Sequence, residues 1–197
     1  MRDSDAPSPA GEKRRRDSLG RRLLKSRSVL LFGPIEPKGT ARVITQLLLL
    51  NQVSRTKPIR LYVNSPGGWA DDGFAVYDVI RFIQAPVFTI CTGLAASAAT
   101  IVMVGAAKGH RFATPHSRLM LHQPSSGARG TATDIKITAK EIIRLREKAN
   151  ELFARETGQP LERIQKDMQR DYWLAASEAV DYGLLDRVLE HESDLPG

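Results

Sequence analysis

The sequence predicts an α/β fold with parallel crossovers, and three observations carry that prediction. Short apolar, β-branched runs alternate with segments of helical spacing, in the order strand–helix–strand–helix–strand–helix. Glycine and proline punctuate these segments. One long amphipathic stretch, from about residue 133 to 156, follows them. Such an order places ligands at the carboxyl ends of the strands.

In chain order, residues 1–18 contain Pro7, Pro9, Gly11 and the run Lys13-Arg14-Arg15-Arg16, and read as a flexible basic arm. Residues 19–190 form the expected domain, and residues 191–197 a C-terminal tail. Leu19 to Lys25 fits a short helix. Val29 to Phe32 reads as a first strand, closed by Gly33-Pro34. Thr40 is placed as the cap of a helix whose buried face holds Val43, Ile44, Leu47, Leu48 and Leu50. Ile59 to Val63 alternates as a second strand and runs into Asn64-Ser65-Pro66-Gly67-Gly68. Asp71 and Asp72 favour a helix start through its dipole, and Phe74, Tyr77, Ile80 and Ile83 recur at helical spacing until Pro86.

Val87 to Cys91 reads as a buried third strand, and Ala98 to Ala107 as a helix stopped by Gly109. Two short strands are expected at His110–Thr114 and Arg118–Leu121, followed by a polar loop through residues 125–130. The long helix, Thr133 to Glu156, carries the stripe Ile135, Ala139, Ile142, Leu145, Ala149 and Leu152 and ends at Gly158 and Pro160. Few apolar residues lie off that stripe, so the helix is expected to project and to pack on a neighbour. A helix at Leu161–Met168, a short helix capped by Ser177 and ending at Gly183, and a strand at Leu184–Leu189 complete the chain.

Composition narrows the function. The net charge is +7, but residues 1–28 hold nine Lys/Arg against four Asp/Glu, so the other 169 residues carry only +2. The basicity belongs to the arm, and without interleaved aromatics it argues against nucleic-acid binding. The single cysteine, Cys91, offers neither a disulfide nor a zinc spacing. That fits a reducing compartment, and a cytoplasmic location is expected. No run approaches the roughly 20 apolar residues of a membrane span, and no apolar segment follows the N-terminal arginines as in a secretory signal. No metal and no cofactor are expected.

The stretch with chemical potential is Thr92-Gly93-Leu94-Ala95-Ala96-Ser97-Ala98-Ala99-Thr100. Ser97 would stand on a strand-to-helix turn among residues with little side chain, facing free backbone N–H groups. A plain N-cap serine is the competing reading. Serine hydrolysis also needs a base, a carboxylate to orient it and donors for the oxyanion. The chain offers His110, His116, His122 and His191; His122 ends an apolar strand, where it can lean into a site at the sheet edge. Asp134, Asp167 and Asp171 remain open as the acid. Gly67 and Gly68 can offer N–H groups and let an extended peptide lie alongside.

Several stretches, in order over about residues 20–190, resemble the proteolytic subunits of the Clp protease family. They are Tyr62-Val63-Asn64-Ser65-Pro66-Gly67-Gly68, Gly93-Leu94-Ala95-Ala96-Ser97, Ala106-Ala107-Lys108-Gly109, Leu121-His122-Gln123-Pro124, Gly130 through Ile135, Thr157-Gly158-Gln159-Pro160-Leu161 and Arg170-Asp171. The resemblance implies a ClpP/crotonase-like fold of stacked βαβ units with a projecting long helix for ring–ring contact. It implies a serine endopeptidase subunit that degrades unfolded polypeptides through an acyl-enzyme. The assembly implied is two stacked heptamer rings served by an AAA+ unfoldase of the Clp type.

By position in these motifs, Ser97 is the nucleophile, His122 the base and Asp171 the acid. Gly68 and Ala98 supply the oxyanion hole, Gly67 and Gly68 bind substrate, and Arg170 senses ring contact. Tyr62, Phe82, Ile90, Phe112 and Leu189 match unfoldase-docking positions. Departures from the pattern are Ala99 where glycine is usual, which requires a negative φ there, Ala98 for methionine, which enlarges the substrate pocket, Arg60 for an aromatic and Thr114 for an aliphatic residue. The alternatives are a non-catalytic or specialised ring subunit paired with a paralogue, and a crotonase acting on acyl-thioesters.

Overall fold

The computed structural model describes residues 19–125, 127 and 129–196; the expected arm at residues 1–18 lies outside them. The chain builds a seven-stranded sheet with helices packed on one face. Helix α1 runs to residue 25, followed by β1 (Ser28–Phe32), α2 (Pro37–Val53), β2 (Ile59–Ser65), α3 (Ala70–Phe82), β3 (Val87–Ala96) and α4 (Ala98–Met103). Then come β4 (Arg111–Ala113), β5 (Arg118–Leu121), α5 (Ala132–Thr157), α6 (Leu161–Asp167), β6 (Tyr172–Ala175), α7 (Ala176–Tyr182) and β7 (Arg187–Val188). The expected α/β fold is the one observed.

The main sheet order is β1-β2-β3-β4-β7, all parallel. β3 is the axis. Its first half pairs β4 through Thr89↔Arg111 to Cys91↔Ala113, and its second half pairs β5 through Leu94↔Arg118 to Ala96↔Met120. β4 and β5 therefore lie end to end along one strand. The change of partner falls at Gly93, whose φ is +99°. There Ser117 Oγ, buried, accepts from the Gly93 N–H at 3.1 Å and donates to the Cys91 carbonyl at 2.9 Å. One side chain thus stands in for the ladder bonds lost at the switch.

Alternation along the strands gives the sheet two apolar faces. Val29, Leu31, Leu61, Val63, Val87 and Cys91 face the main core under α2, α3 and α4. Phe88, Ile90, Phe112 and Leu189 form a second cluster, with Tyr62 and Leu195 against it. The residues read as a C-terminal tail carry a 3-10 turn at Glu192–Asp194, and Glu192 pairs with Arg60 at 3.0 Å.

Several expected boundaries are corrected. Thr40 does not cap α2; Glu36 is the N-cap and Pro37 opens the helix, as proline's fixed φ favours. Leu48 is not on the buried face, being 37% exposed. β3 extends past Cys91 to Ala96, and α4 ends at Met103 rather than reaching Ala107. Ala175, not Ser177, precedes α7, and the last strand holds only Arg187 and Val188. β6 has no counterpart in the sequence reading. In α5 only the C-terminal half is buried, at Ala149, Asn150, Leu152, Phe153 and Glu156. Ile135, Ile137 and Ile143 are exposed on this chain, as expected of a helix that projects.

A buried ion pair anchors the base of α5. Arg111 on β4 is 1% exposed and reaches Glu156 Oε2 at 2.5 Å. Its other N–H groups serve the Ala106 carbonyl at 2.8 Å and the Glu156 carbonyl at 3.0 Å. Tyr77 and Arg81 of α3 donate to Glu156 Oε1 at 2.7 and 3.1 Å. Burial opposes ionisation of Glu156, yet the hydrogen bonds from Tyr77 and Arg111 and the nearby guanidinium charges hold its carboxyl below the ordinary range.

Candidate active site

Three chain segments meet at the carboxyl end of β3. β3 hands directly to α4, and Ser97 is the residue between them. Its φ of 55° and ψ of −124° lie in a region that costs a non-glycine residue about 1–3 kcal/mol. The surroundings impose it: Ser97 N–H donates to the Met120 carbonyl at 2.9 Å, and the Ser97 carbonyl accepts from Thr100 N–H at 2.9 Å. The side chain makes no cap hydrogen bond, so the plain N-cap reading fails. Ser97 Oγ instead lies 2.7 Å from His122 Nε2.

His122 follows the last residue of β5, beside the strand half that carries Ser97. β6 pairs antiparallel with β5, Leu121 opposite Tyr172, and so brings the preceding residue, Asp171, to the imidazole. Asp171 Oδ1 lies 3.3 Å from His122 Nδ1; the Asp171 side chain is 60% exposed and that of His122 25%. With Nδ1–H facing the carboxylate, Nε2 is left to accept from the serine hydroxyl.

The other candidates are engaged elsewhere. His110 packs its ring on Phe88 at 4.6 Å, and His116 and His191 are exposed. Asp134 closes a capping box with Thr131 at the start of α5. Asp167 accepts from Tyr182 OH at 2.9 Å and faces Arg163. Of the three acids, Asp171 is the one that lies beside the His122 imidazole.

The glycine pair abuts the serine. A Cβ on Gly67, whose φ is +91°, would stand 2.7 Å from Ser97 Cβ. The Gly67 N–H is already bound to Ser65 Oγ at 3.1 Å, so Gly67 is corrected as an oxyanion donor. Gly68 is held by an isolated parallel bridge to Ile35, made by its neighbours' groups: Ile35 N–H to the Gly67 carbonyl and Trp69 N–H to the Ile35 carbonyl. The Gly68 N–H has no hydrogen-bond partner among the described residues. Ala98, first residue of α4, has an N–H without an acceptor in a preceding turn.

Gly68, Ser97, Ala98 and His122 line one cleft of about 420 Å³, with Leu145 and Phe153 of α5 on its apolar wall. Ala99 lies in α4 and keeps a negative φ, since Arg27 and Ser97 are the only non-glycine residues with positive φ among those described. Glycine is therefore not required there. Burial pushes the Cys91 thiol up to about 11, against a weaker opposing bond from Ser117, which removes it as a nucleophile.

A serine poised on a strained turn, an imidazole and a carboxylate in line are the parts of a serine hydrolase. The sequence comparisons agree. The family model for Clp protease matches residues 10–192. The chain is 47% identical to "ATP-dependent Clp protease proteolytic subunit 2" of Treponema denticola over 180 residues, covering 91% of this chain and 90% of that protein. It is also 47% identical to the protein of the same description from Treponema pallidum over 175 residues, 89% and 88% of the two chains. The chain belongs to the Clp protease family. It is a proteolytic subunit of the Clp type, a serine endopeptidase, with the fold expected of that family.

Of the residues expected at docking positions, Tyr62, Ile90, Phe112 and Leu189 share the second apolar cluster; Phe82 is 82% exposed and does not join it. Arg170 is exposed beside Asp171. The sequence reading missed the Arg111–Glu156 pair and β6. No helix among the described residues is long and apolar enough to cross a membrane.

Proposed function

We propose that Ser97, His122 and Asp171 cleave peptide bonds of unfolded polypeptides through an acyl-enzyme. The observation that carries this is the 2.7 Å approach of Ser97 Oγ to His122 Nε2 on a turn the fold holds under strain. His122 Nε2 takes the Ser97 proton as Oγ attacks the carbonyl carbon, and Nδ1–H is steadied by Asp171. The Gly68 and Ala98 N–H groups meet the oxyanion; one such donor is typically worth about 10²–10³ in rate. The protonated imidazole then gives its proton to the leaving amine, and water, activated by the same base, releases the acyl group. Gly67 and Gly68 present a flat backbone to an extended substrate.

The exposed isoleucines on the N-terminal half of α5, Ile135, Ile137 and Ile143, support assembly into two stacked heptamer rings, homomeric or mixed with a paralogue, in which Arg170 couples ring contact to Asp171. The cluster at Tyr62, Ile90, Phe112 and Leu189, with Phe82 of the α3 end, is the proposed docking face for a Clp-type AAA+ unfoldase. Arg60–Glu192 forms a polar rim there. The working organisation is a basic arm at 1–18, a peptidase domain at 19–190 and a tail at 191–197, in the cytoplasm.

Hydrolysis of a fluorogenic peptide by the purified oligomer tests the reading. Wild type turns over, and Ser97→Ala in an oligomer of unchanged mass loses about 10⁴–10⁶ in rate. Equal rates in the two would overturn it.

A further inference from the structure

Of the stretch Leu121-His122-Gln123-Pro124, the chemistry above uses only the histidine. Gln123 is not among the residues that line the cleft with Ser97, so it has no place against the substrate. It grips a turn instead. Its backbone N–H donates to the Met168 carbonyl at 2.7 Å, and its side-chain Nε2 donates to the Gln169 carbonyl at 3.0 Å. Both carbonyls belong to the turn that joins α6 to β6, and Asp171 follows that turn directly before β6. The residue after the base thus holds the chain two and three residues before the acid.

Asp171 needs such a hold. Its side chain is 60% exposed, and among the described residues its carboxylate has one partner, His122 Nδ1 at 3.3 Å. The β5–β6 ladder ends at Leu121↔Tyr172, one residue short of both groups. The turn's own N–H groups look back into α6: Met168 to the Ile164 carbonyl at 2.9 Å and Gln169 to the Lys166 carbonyl at 3.3 Å. Those bonds fix the turn to α6 and leave its distance from the end of β5 open. The two Gln123 bonds close that distance. The backbone bond survives any side chain except proline; the carboxamide bond is the one the sequence chooses. We propose that the Gln123 carboxamide is a positioning residue, which keeps Asp171 within reach of His122 and acts on catalysis through that carboxylate alone. The proposal rests on the peptidase reading of Ser97, His122 and Asp171. A displacement of about 1 Å in such a constellation is enough to slow the reaction.

The test is steady-state hydrolysis of a fluorogenic peptide by the assembled protein, its mass checked for every variant. Gln123→Met keeps the length and the apolar stem of the side chain and removes only the donor. Its kcat falls roughly threefold to tenfold, the range of one net hydrogen bond, while KM stays at the wild-type value. In an Asp171→Ala background there is no carboxylate left to place, so adding Gln123→Met lowers kcat no further. A residue that served packing or assembly alone would lower kcat equally in both backgrounds. If Gln123→Met does not assemble, Gln123→Asn, polar but one methylene too short for the Gln169 carbonyl, reads the same loss. A wild-type kcat in these variants, a change confined to KM, or equal losses with and without Asp171 overturns the proposal. Fluorophosphonate labelling of Ser97 in wild type separates the two levels. Without labelling the peptidase reading fails, and this proposal with it; with labelling and equal losses only the positioning role falls.

Discussion

Replacing Arg111 by methionine tests how the long helix is held to the sheet. The guanidinium is 1% exposed and makes three bonds to the Ala106 carbonyl, the Glu156 carbonyl and the Glu156 carboxylate. Removing one partner of a buried pair costs about 3–5 kcal/mol, because the other charge stays buried. Here Tyr77 and Arg81 still reach Glu156 Oε1, which places the loss near the lower end, about 3 kcal/mol. For a domain of this size that is roughly 6–12 °C in Tm. The double variant Arg111→Met/Glu156→Leu removes the stranded carboxylate and recovers at least about 1 kcal/mol of the single variant's loss. Urea midpoints of wild type, both single variants and the double variant read the cycle directly. A loss under about 1 kcal/mol for Arg111→Met, or strictly additive losses in the double variant, would refute the reasoning.

Three further outcomes follow from the same geometry. Gly67→Ala puts a methyl 2.7 Å from Ser97 Cβ at a φ of +91°, so peptide hydrolysis is lost while far-UV circular dichroism is retained. Asp171→Asn lowers kcat by well under the roughly 10⁴ seen where the triad acid is buried, since the Asp171 side chain is 60% exposed and water can partly replace it; steady-state kinetics measure this. Glu156 contributes stability above the ordinary carboxylate pKa of about 4.3, and that contribution is lost as pH falls through its depressed folded value. Glu156→Gln is therefore less stable than wild type at neutral pH and shows a flatter acid limb in urea midpoints taken across pH.

Much of the fold was legible because local signals agreed. Asp71 and Asp72 do open α3, and β5 spans Arg118–Leu121 as the apolar run after Pro115-His116-Ser117 indicated. Small neighbours and a strand-end position pointed to Ser97 and His122, but an N-cap serine and three other histidines stayed open until the family motifs assigned the pair. Asp171 had no local pointer outside the family motif, because β6 is a four-residue strand with no pattern of its own. Its pairing with β5 is a tertiary event, and that event delivers the acid. The extension of β3 through Gly93, Ala95 and Ala96 was hidden likewise: these residues favour no strand, and the ladders to β2 and β5 impose it. The Arg111–Glu156 pair joins residues 45 apart in sequence, and nothing local tells a buried charge from a solvated one.

The most direct measurement is site-resolved labelling of the assembled protein with a fluorophosphonate, followed by peptide mass mapping. The account predicts one adduct, on Ser97, formed rapidly in wild type and slowed by orders of magnitude in His122→Ala. An unlabelled Ser97, or labelling at the same rate without the imidazole, would contradict it.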